Sequence, residues 1–266
     1  MDAPLDFAVR TAKQAGELLQ GYFRQGSLHA RLKSDHSVVT EADLAADRLI
    51  EQAIHEAYPH DVLLSEELQP GFQPNAGETV WIIDPLDGTT NFSLGLQIWG
   101  VSIARVVEGY TDIAAIYFPM LGEMYTAQRG HGAYMNGERL ALGTGAQPKP
   151  ASFFSCCSRT FRHYQVSVPY KARILGSAAY SFCTLCRGAA LVVFDATPKI
   201  WDIAGVWLVV EEAGGIIETY DGVRPFPLRP GVVYERQVFT TIAAATPELV
   251  SRARRQIRPK TRKQER

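Results

Sequence analysis

Long hydrophobic runs, repeats and a large net charge of either sign are all missing from this chain of 266 residues. No stretch of about 18 uninterrupted apolar residues occurs, so we expect no transmembrane helix and no membrane partner. The first residues do not combine a basic segment with an apolar run, so no secretory signal is expected and the protein is predicted to be cytoplasmic. With 46% hydrophobic and 21% charged residues, the composition is that of a globular protein.

Cysteine is scarce, with four residues in the whole chain. Cys183 and Cys186 have the spacing of half a zinc site, but no second pair of metal ligands follows at a suitable spacing. We therefore predict free thiols that pack as small hydrophobic side chains.

The net charge of −1 hides an uneven distribution. Residues 251–266 contain eight basic residues and one acidic residue, which leaves 19 basic and 27 acidic residues, a net charge of −8, in the rest of the chain. An acidic body suits cation binding better than nucleic-acid binding. The basic tail could contact RNA or another anionic partner, but a solvated helix end followed by a disordered terminus is the favoured interpretation.

Hydrophobic periodicity predicts several helices and many short strands. Helices are expected over 5–23, 42–57, 178–187, 200–213 and 247–257. Strands are expected over 62–65, 79–84, 98–107, 110–118, 123–128, 133–135, 151–156, 173–175, 190–194, 216–219 and 238–244. Helix pairs, antiparallel runs and a later alternation of strand and helix together predict layered α and β elements, an α+β fold.

The most informative segment runs from Trp81 to Phe92. An apolar strand should deliver Asp84 to its end, where Pro85 turns the chain and brings Asp87 beside Asp84. Two carboxylates this close repel one another unless a cation lies between them. A hard divalent cation with oxygen ligands fits such a pair, and Mg²⁺ is the usual one.

Other features of this region allow more than one interpretation. A short helix beginning at Gly88 would point free amides at a phosphate, although an ordinary acidic turn explains the same residues. By themselves, Glu66 and Glu67 are typical of a solvated loop. Asp202 is typical of a first helical turn, and Asp43 could close a capping box.

Four motifs in register resemble the inositol monophosphatase family. They are Asp84–Phe92, Trp201–Gly205 running on to Glu212–Gly215, Val39–Asp43, and the pair Glu66-Glu67. The resemblance implies a layered αβαβα sandwich of the inositol monophosphatase and fructose-1,6-bisphosphatase type. It further implies one phosphatase domain over 1–257, made of two packed halves at about 1–145 and 146–257, with a basic tail over 258–266 outside it.

The resemblance also implies a set of site residues. One metal ion would be held by Glu66, Asp84, the Leu86 carbonyl and Thr89, a second by Asp84, Asp87 and Asp202, and a weaker third by Glu66. Catalytic roles would fall to Asp43, Glu66 and Thr89, with Asp43 accepting from the Thr89 hydroxyl to orient the attacking water. Asp87, Gly88 and Thr89 would lie at the phosphate, and Gly176, Ser177, Ala178 and Asp195 at the substrate alcohol.

The implied function is Mg²⁺-dependent hydrolysis of a phosphate monoester, with inositol 1-phosphate as the expected substrate, in a lithium-sensitive homodimer. Asp195 stands where inositol-specific members usually carry glutamate, which weakens the fit to inositol. The enzymatic alternatives are fructose-1,6-bisphosphatase, histidinol-phosphate phosphatase and 3′-phosphoadenosine-5′-phosphate phosphatase. The last of these usually has Lys-Glu where this chain has Thr90-Asn91. The alternative outside enzymes is an RNA- or transcription-associated regulatory factor.

Overall fold

The computed structural model describes residues 3–26, 30–32, 38–67, 71, 73–142 and 151–260. Its helices are α1 (Pro4–Gln25), α2 (Glu41–Ala57), α3 (Thr89–Ser93), α4 (Thr160–His163), α5 (Ala178–Cys186), α6 (Ile200–Glu212) and α7 (Pro247–Gln256). Its strands are β1 (Ala30–Leu32), β2 (Val38–Thr40), β3 (Val62–Ser65), β4 (Val80–Asp87), β5 (Gly100–Val107), β6 (Tyr110–Phe118), β7 (Glu123–Gln128), β8 (Gly132–Met135), β9 (Glu138–Leu140), β10 (Phe153–Cys156), β11 (Tyr164–Val166), β12 (Lys171–Arg173), β13 (Ala190–Asp195), β14 (Ile216–Thr219), β15 (Thr241–Ala244) and β16 (Ile257–Pro259).

Two large sheets organise these elements. The first has seven strands in the order β3-β4-β5-β6-β7-β8-β9, antiparallel throughout except where β3 runs parallel to β4. The second has five strands in the order β12-β10-β13-β15-β14, with β10 parallel to both of its neighbours. The hairpin between β5 and β6 turns at Glu108 and Gly109, as the sequence predicts, and both residues have positive φ.

Three hydrophobic clusters hold the layers together. One joins α1 and α2 to the outer face of the seven-stranded sheet, and a second places α5 and α6 between the two sheets. The third joins α7 to the far face of the five-stranded sheet. Helix pair, sheet, helix pair, sheet and helix therefore follow one another, and the predicted layered αβαβα sandwich is confirmed.

Helix boundaries follow recognisable end signals. Pro4 stands in the first turn of α1, and Gly26 ends that helix in the left-handed conformation, which glycine adopts without a steric penalty. Thr40 caps α2 by accepting from the Asp43 amide, and the Asp43 carboxylate accepts from the Thr40 amide, so the predicted capping box is present.

Several predicted strand boundaries were wrong. The sequence places the end of a strand at Asp84, but β4 continues to Asp87 and pairs with Gly100 beyond an irregularity between Asp84 and Asp87. A bulge of this kind absorbs Pro85, because the proline that cannot donate to the ladder sits where pairing is interrupted. The predicted strands over 173–175 and 238–244 are instead Lys171–Arg173 and Thr241–Ala244.

The C-terminal segment differs from the expected solvated helix end. Helix α7 ends at Gln256, and Ile257–Pro259 form β16, which pairs antiparallel with β11. Ile257 is fully buried in the third cluster, and this burial holds the strand against the body of the protein. Residues 261–266 of the tail and the boundary near 145 lie outside the described residues, so the division into two halves stays a prediction.

All four cysteines are free, and Cys156, Cys183 and Cys186 are buried as predicted. Within the described residues, no helix combines the length and the hydrophobicity that crossing a membrane requires.

Candidate active site

Three carboxylates converge between the two sheets. Asp84 and Asp87 come from the end of β4, and Asp202 comes from the first turn of α6. Each offers one oxygen atom within 4.8 Å of the others. Only 1% of the Asp84 surface and 5% of the Asp87 surface are exposed to solvent. An arrangement of oxygen donors this close and this buried is suited to a divalent cation.

The electrostatics of the cluster agree with this geometry. Burial, then repulsion from Glu66 and Asp87, raises the pKa of both Asp84 and Asp202 well above the ordinary value. Burial also raises the pKa of Asp87, to about 6, although hydrogen bonds to its carboxylate oppose the shift. Neighbouring carboxylates that oppose each other's ionisation are relieved when a cation binds among them.

Asp87 is oriented by the start of α5. The Ser177 hydroxyl donates to Asp87 Oδ2, and the amides of Ala178 and Ala179 donate to its two oxygens at 3.0 and 3.1 Å. Ser177 also caps α5 by accepting from the Tyr180 amide at 3.0 Å. Sequence reasoning assigned Ser177 and Ala178 to the substrate alcohol and missed this contact, although a serine before an apolar helix is a capping signal.

The corner between β4 and α3 has a compact network of its own. The Leu86 amide donates to Asp84 Oδ1 at 3.1 Å. Gly88 follows with φ 93°, and a Cβ atom there would lie 2.9 Å from the Ile98 carbonyl oxygen. Only glycine satisfies both conditions without strain. The turn therefore carries the chain from the buried carboxylates to Thr89 within two residues.

Asp43 combines the two roles that the sequence left open. Its Oδ2 accepts from the Thr40 amide at 2.8 Å and so caps α2. Its Oδ1 lies 3.0 Å from the Thr89 hydroxyl, which is also 2.9 Å from the Leu86 carbonyl oxygen. Burial raises the pKa of Asp43, while hydrogen bonds from Thr40 and Thr89 oppose that shift. The helix cap and the contact with Thr89 thus use different oxygens of one carboxylate.

Glu66 lies on the turn after β3 and lines the same cleft, outside the group of three carboxylates within 4.8 Å. Ser65 organises this turn. Its hydroxyl donates to the buried Asp47 of α2 at 2.7 Å and accepts from the Glu67 amide at 3.2 Å. Ser65 therefore supports the turn that presents Glu66.

Two adjoining hollows surround these residues. The first, the polar cleft, has a volume of about 300 Å³ and is lined by Glu66, Asp84, Leu86, Asp87, Gly88, Thr89, Thr90, Arg159, Gly176 and Asp202. The second, the side pocket, has a volume of about 410 Å³, and its lining includes Gly176, Ser177, Ala178, Asp195 and Asp202. Every residue predicted for metal, phosphate or substrate therefore lines one of the two hollows.

Asp195 lies at the end of β13 with 8% of its surface exposed. Its Oδ1 accepts from the Thr197 amide at 3.1 Å. Burial raises its pKa, and the positive charge of Arg159 acts in the opposite direction. Of the two carboxylates that line the side pocket, Asp195 is the one outside the cluster of Asp84, Asp87 and Asp202.

Two residues of the site escaped sequence reasoning. Asn91 donates to the carbonyl oxygens of Ile98 and Leu175, at 2.7 and 2.8 Å, and so ties α3 to the segment before Gly176. Gly176 has φ 76°, and a Cβ atom there would come within 2.4 Å of the Asn91 side chain. Arg159 lines both hollows. No local pattern in the sequence signals the bond from Asn91 to Leu175 or the place of Arg159, because both involve segments far apart in the chain.

The fold and the acidic cleft define a layered α+β protein with a site suited to metal-assisted phosphate chemistry. The model of the inositol monophosphatase family matches residues 1–252, and the chain belongs to that family of metal-dependent phosphatases.

Individual relatives carry different names. The chain is 34% identical over 234 residues to a Nus factor SuhB of Pasteurella multocida, which covers 84% of this chain and 87% of that protein. It is 36% identical over 233 residues to a histidinol-phosphatase of Chlorobaculum parvum, with 84% and 88% covered. Among solved structures, an IMPase of Thermotoga maritima superposes with a TM-score of 0.76 at 27% identity, covering 93% of this chain and 95% of that one.

Proposed function

We propose that this protein hydrolyses a phosphate monoester of a small polyol in a Mg²⁺-dependent reaction, with inositol 1-phosphate as the first substrate to test. The observation that carries the proposal is the packing of three buried carboxylates within 4.8 Å of one another in the cleft that also contains Thr89. A polar cleft with anionic metal ligands and a positioned hydroxyl is what hydrolysis of a phosphate ester requires.

The residues present fit Mg²⁺ as the metal. All the candidate ligands are oxygens, which Mg²⁺ prefers, and burial with repulsion among the carboxylates, which raises the pKa of Asp84 and Asp202, is a condition that a bound cation would relieve. Asp84, Asp87 and Asp202 would hold one ion. Glu66, Asp84, the Leu86 carbonyl and Thr89 would hold another, and Glu66 could serve a weaker third. Bound metal supplies an activated water and stabilises the charge on the leaving oxygen.

The remaining steps belong to the protein's own groups. The Thr89 hydroxyl can donate its proton to Asp43 Oδ1 or to the Leu86 carbonyl, and either bond leaves Thr89 Oγ1 with lone pairs to share. Thr89 can then accept a hydrogen bond from the attacking water and fix the direction of attack. Gly88 and Thr89 would bind the phosphate. Positioning of this kind accounts for much of the catalysis in phosphoryl transfer.

Asp195 and the side pocket would receive the alcohol. A buried carboxylate accepts strong, charge-assisted hydrogen bonds from hydroxyl groups. An amine would also be accepted, so histidinol phosphate is the second candidate, and the histidinol-phosphatase of Chlorobaculum parvum favours it. The SuhB relatives bear the name of a Nus factor. We therefore keep a regulatory, transcription-associated role as the alternative outside enzymes.

The experiment is a phosphate-release screen over inositol, sugar, amino-alcohol and nucleotide monophosphates, with Mg²⁺ and with excess chelator. Mg²⁺-dependent release that the chelator abolishes, strongest for inositol 1-phosphate, is the expected result. Strongest release from histidinol phosphate would select the second candidate. Absence of release from every ester at saturating Mg²⁺ would rule out the phosphatase proposal. Lithium inhibition and a homodimer stay predictions of the family resemblance, and the same preparation tests both.

A further inference from the structure

Arg159 lies where the two hollows of the site meet. It lines both the polar cleft and the side pocket. Among the described residues that line either hollow, it alone carries a positive side-chain charge. The acidic lining residues are Glu66, Asp84, Asp87, Asp195 and Asp202. One cation at the boundary between the two hollows therefore faces five carboxylates.

The charge of Arg159 acts mainly on the side-pocket half of the site. It lowers the pKa of Asp195, whereas the charges that most affect Asp84 and Asp202 are those of other carboxylates. The Arg159 side chain is exposed. Within the described part of the chain, it forms no hydrogen-bonded salt bridge with a carboxylate. Its donors are therefore available to a ligand.

The backbone that carries Arg159 is held in place. Its carbonyl accepts from the amides of Arg162 and His163 in the single turn of α4. The C-terminal segment then binds the same turn. The Lys260 amide donates to the His163 carbonyl at 2.8 Å, and Lys260 Nζ donates to the Phe161 carbonyl at 2.7 Å. The guanidinium thus projects from a braced turn at the boundary of the two hollows.

The chemistry of a guanidinium indicates what it binds there. Its planar fork matches a phosphate or a carboxylate better than a neutral hydroxyl. If the reacting phosphate lies against the carboxylate cluster and the alcohol lies in the side pocket, a substituent on the alcohol lies beside Arg159. This step rests on the proposed function. We propose that Arg159 binds a second anionic group, phosphate or carboxylate, on the alcohol part of the substrate, and so extends the substrate range beyond neutral polyols.

Matched substrate pairs test this role. Fructose 1,6-bisphosphate and fructose 1-phosphate differ only in the second phosphate, and 3-phosphoglycerate and glycerol 3-phosphate differ in a carboxylate. The measurement is the ratio of kcat/KM within each pair, for the wild type, Arg159→Gln and Arg159→Lys. Arg162→Gln is the matched control, because Arg162 is an exposed arginine of the same turn that lines neither hollow.

The expected result is a loss of roughly 10- to 100-fold in the ratio for Arg159→Gln, the scale of a charge-assisted hydrogen bond. Arg159→Lys should retain part of the preference, and Arg162→Gln should keep the wild-type ratio. Loss in one pair alone identifies the anion as phosphate or as carboxylate. An equal fall in kcat/KM for both members of each pair, which leaves the ratio unchanged, would place Arg159 at the reacting phosphate. Wild-type values of kcat/KM for all four esters would remove it from the site. Either outcome overturns the proposal.

Binding separates failure of this inference from failure of the proposed function. If the wild type releases no phosphate from these four esters or from any ester of the wider screen, the phosphatase proposal is wrong. Calorimetric titration of fructose 1,6-bisphosphate and fructose 1-phosphate into Ca²⁺-loaded protein still measures the contribution of the second anion. Equal affinities of wild type and Arg159→Gln for the bisphosphate would then refute the role of Arg159.

Discussion

The polar cleft and the side pocket share Thr90, Arg159, Gly176 and Asp202 among their lining residues, yet the chain builds them differently. The polar cleft depends on the short segment from Asp84 to Thr89, whose groups bond one another across two or three residues. The side pocket gathers the end of β10, the start of α5 and the end of β13, which are far apart in the sequence.

This difference separates chemistry from specificity. The polar cleft repeats the family motifs, and its groups converge on one point, as a reaction common to many esters requires. The side pocket combines Asp195, Arg159 and Cys157, of which only Asp195 was assigned a role from the sequence. Substitutions in the cleft should therefore lower turnover of every substrate, whereas substitutions in the pocket should change their ranking.

The strongest test of the cleft is Asp84→Asn. It removes the charge of the carboxylate proposed to bridge two ions, so Mg²⁺-dependent turnover should fall by about 10³-fold or more, the rate equivalent of several kcal/mol of charge stabilisation. In the absence of metal, the variant should melt at a higher temperature than the wild type, because burial and the repulsion from Glu66 and Asp87 no longer oppose a charge at this position.

Steady-state kinetics and thermal melting with and without Mg²⁺ provide the readouts. Asp6→Asn, at an exposed position of α1, is the matched control and should resemble the wild type in both. Near-normal turnover of Asp84→Asn on any substrate would contradict the assignment of Asp84 as a shared ligand.

The metal-free protein should lose stability as the pH rises. Burial raises the pKa of Asp87 from its ordinary value of 3.8 to about 6 in the folded state. The folded state therefore holds this proton more tightly than the unfolded state, and the resulting stability is complete below about pH 4 and lost as the pH rises through 6. Mg²⁺ binds the ionised form and should restore the melting temperature at neutral pH.

Melting curves from pH 4 to 8, with chelator and with Mg²⁺, measure this effect. The Asp87→Asn variant, melted without metal, isolates the contribution of Asp87. The difference between its melting temperature and that of the wild type should grow as the pH rises. A constant difference between the two proteins across this range would show that Asp87 titrates normally in the folded state.

The next effect in size concerns the hydroxyl of Thr89. Thr89→Ala should lower kcat by roughly 10²-fold, the usual contribution of a positioned catalytic group, with little loss of volume. Asp43→Asn should lower both kcat and the melting temperature, because one oxygen of Asp43 contacts Thr89 and the other caps α2.

Thr246→Ala controls for the helix cap. Thr246 caps α7 by accepting from the Leu249 amide and lines neither hollow, so its loss should cost about 1 kcal/mol of stability and leave kcat at the wild-type value. If Asp43→Asn behaves like Thr246→Ala, Asp43 serves only as a cap and the orientation of water must be assigned elsewhere.

Prediction from sequence succeeded for features that depend on neighbouring residues and failed for features that depend on distant ones. Local patterns identified the cap at Thr40, the hairpin at Glu108 and the layered α+β class, because each depends on neighbours a few residues apart. They failed at β4, where pairing across the sheet carried the strand past Pro85. They also failed at β16, which forms because β11, some ninety residues earlier, offers an unpaired edge.

The site shows the same limit in finer detail. Asp84 and Asp87 could be paired from their spacing alone, and the family motifs added Asp43, Glu66 and Asp202. The contact of Ser177 with Asp87 and the place of Arg159 between the hollows depend on how the two sheets approach one another. No pattern along the chain reports that approach, so these roles became visible only in the folded structure.

The smallest expected effect is on substrate preference at Asp195. Asp195→Glu adds one methylene and brings the carboxylate closer to an inositol ring, so the kcat/KM ratio of inositol 1-phosphate to fructose 1,6-bisphosphate should rise, by about tenfold at most, the lower end of the scale for one methylene. Asp195→Ala should raise KM more than it lowers kcat, because the lost hydrogen bonds hold the bound alcohol and not the reacting phosphorus. The shorter aspartate of the wild type can reach a hydroxyl through a water, which is nearly as favourable in enthalpy and less selective for hydroxyl position.

Measurement of kcat and KM for both substrates in the three proteins decides the matter. If the ratio does not move, Asp195 does not contact the alcohol, and the selectivity must be sought in the Arg159 to Arg173 segment.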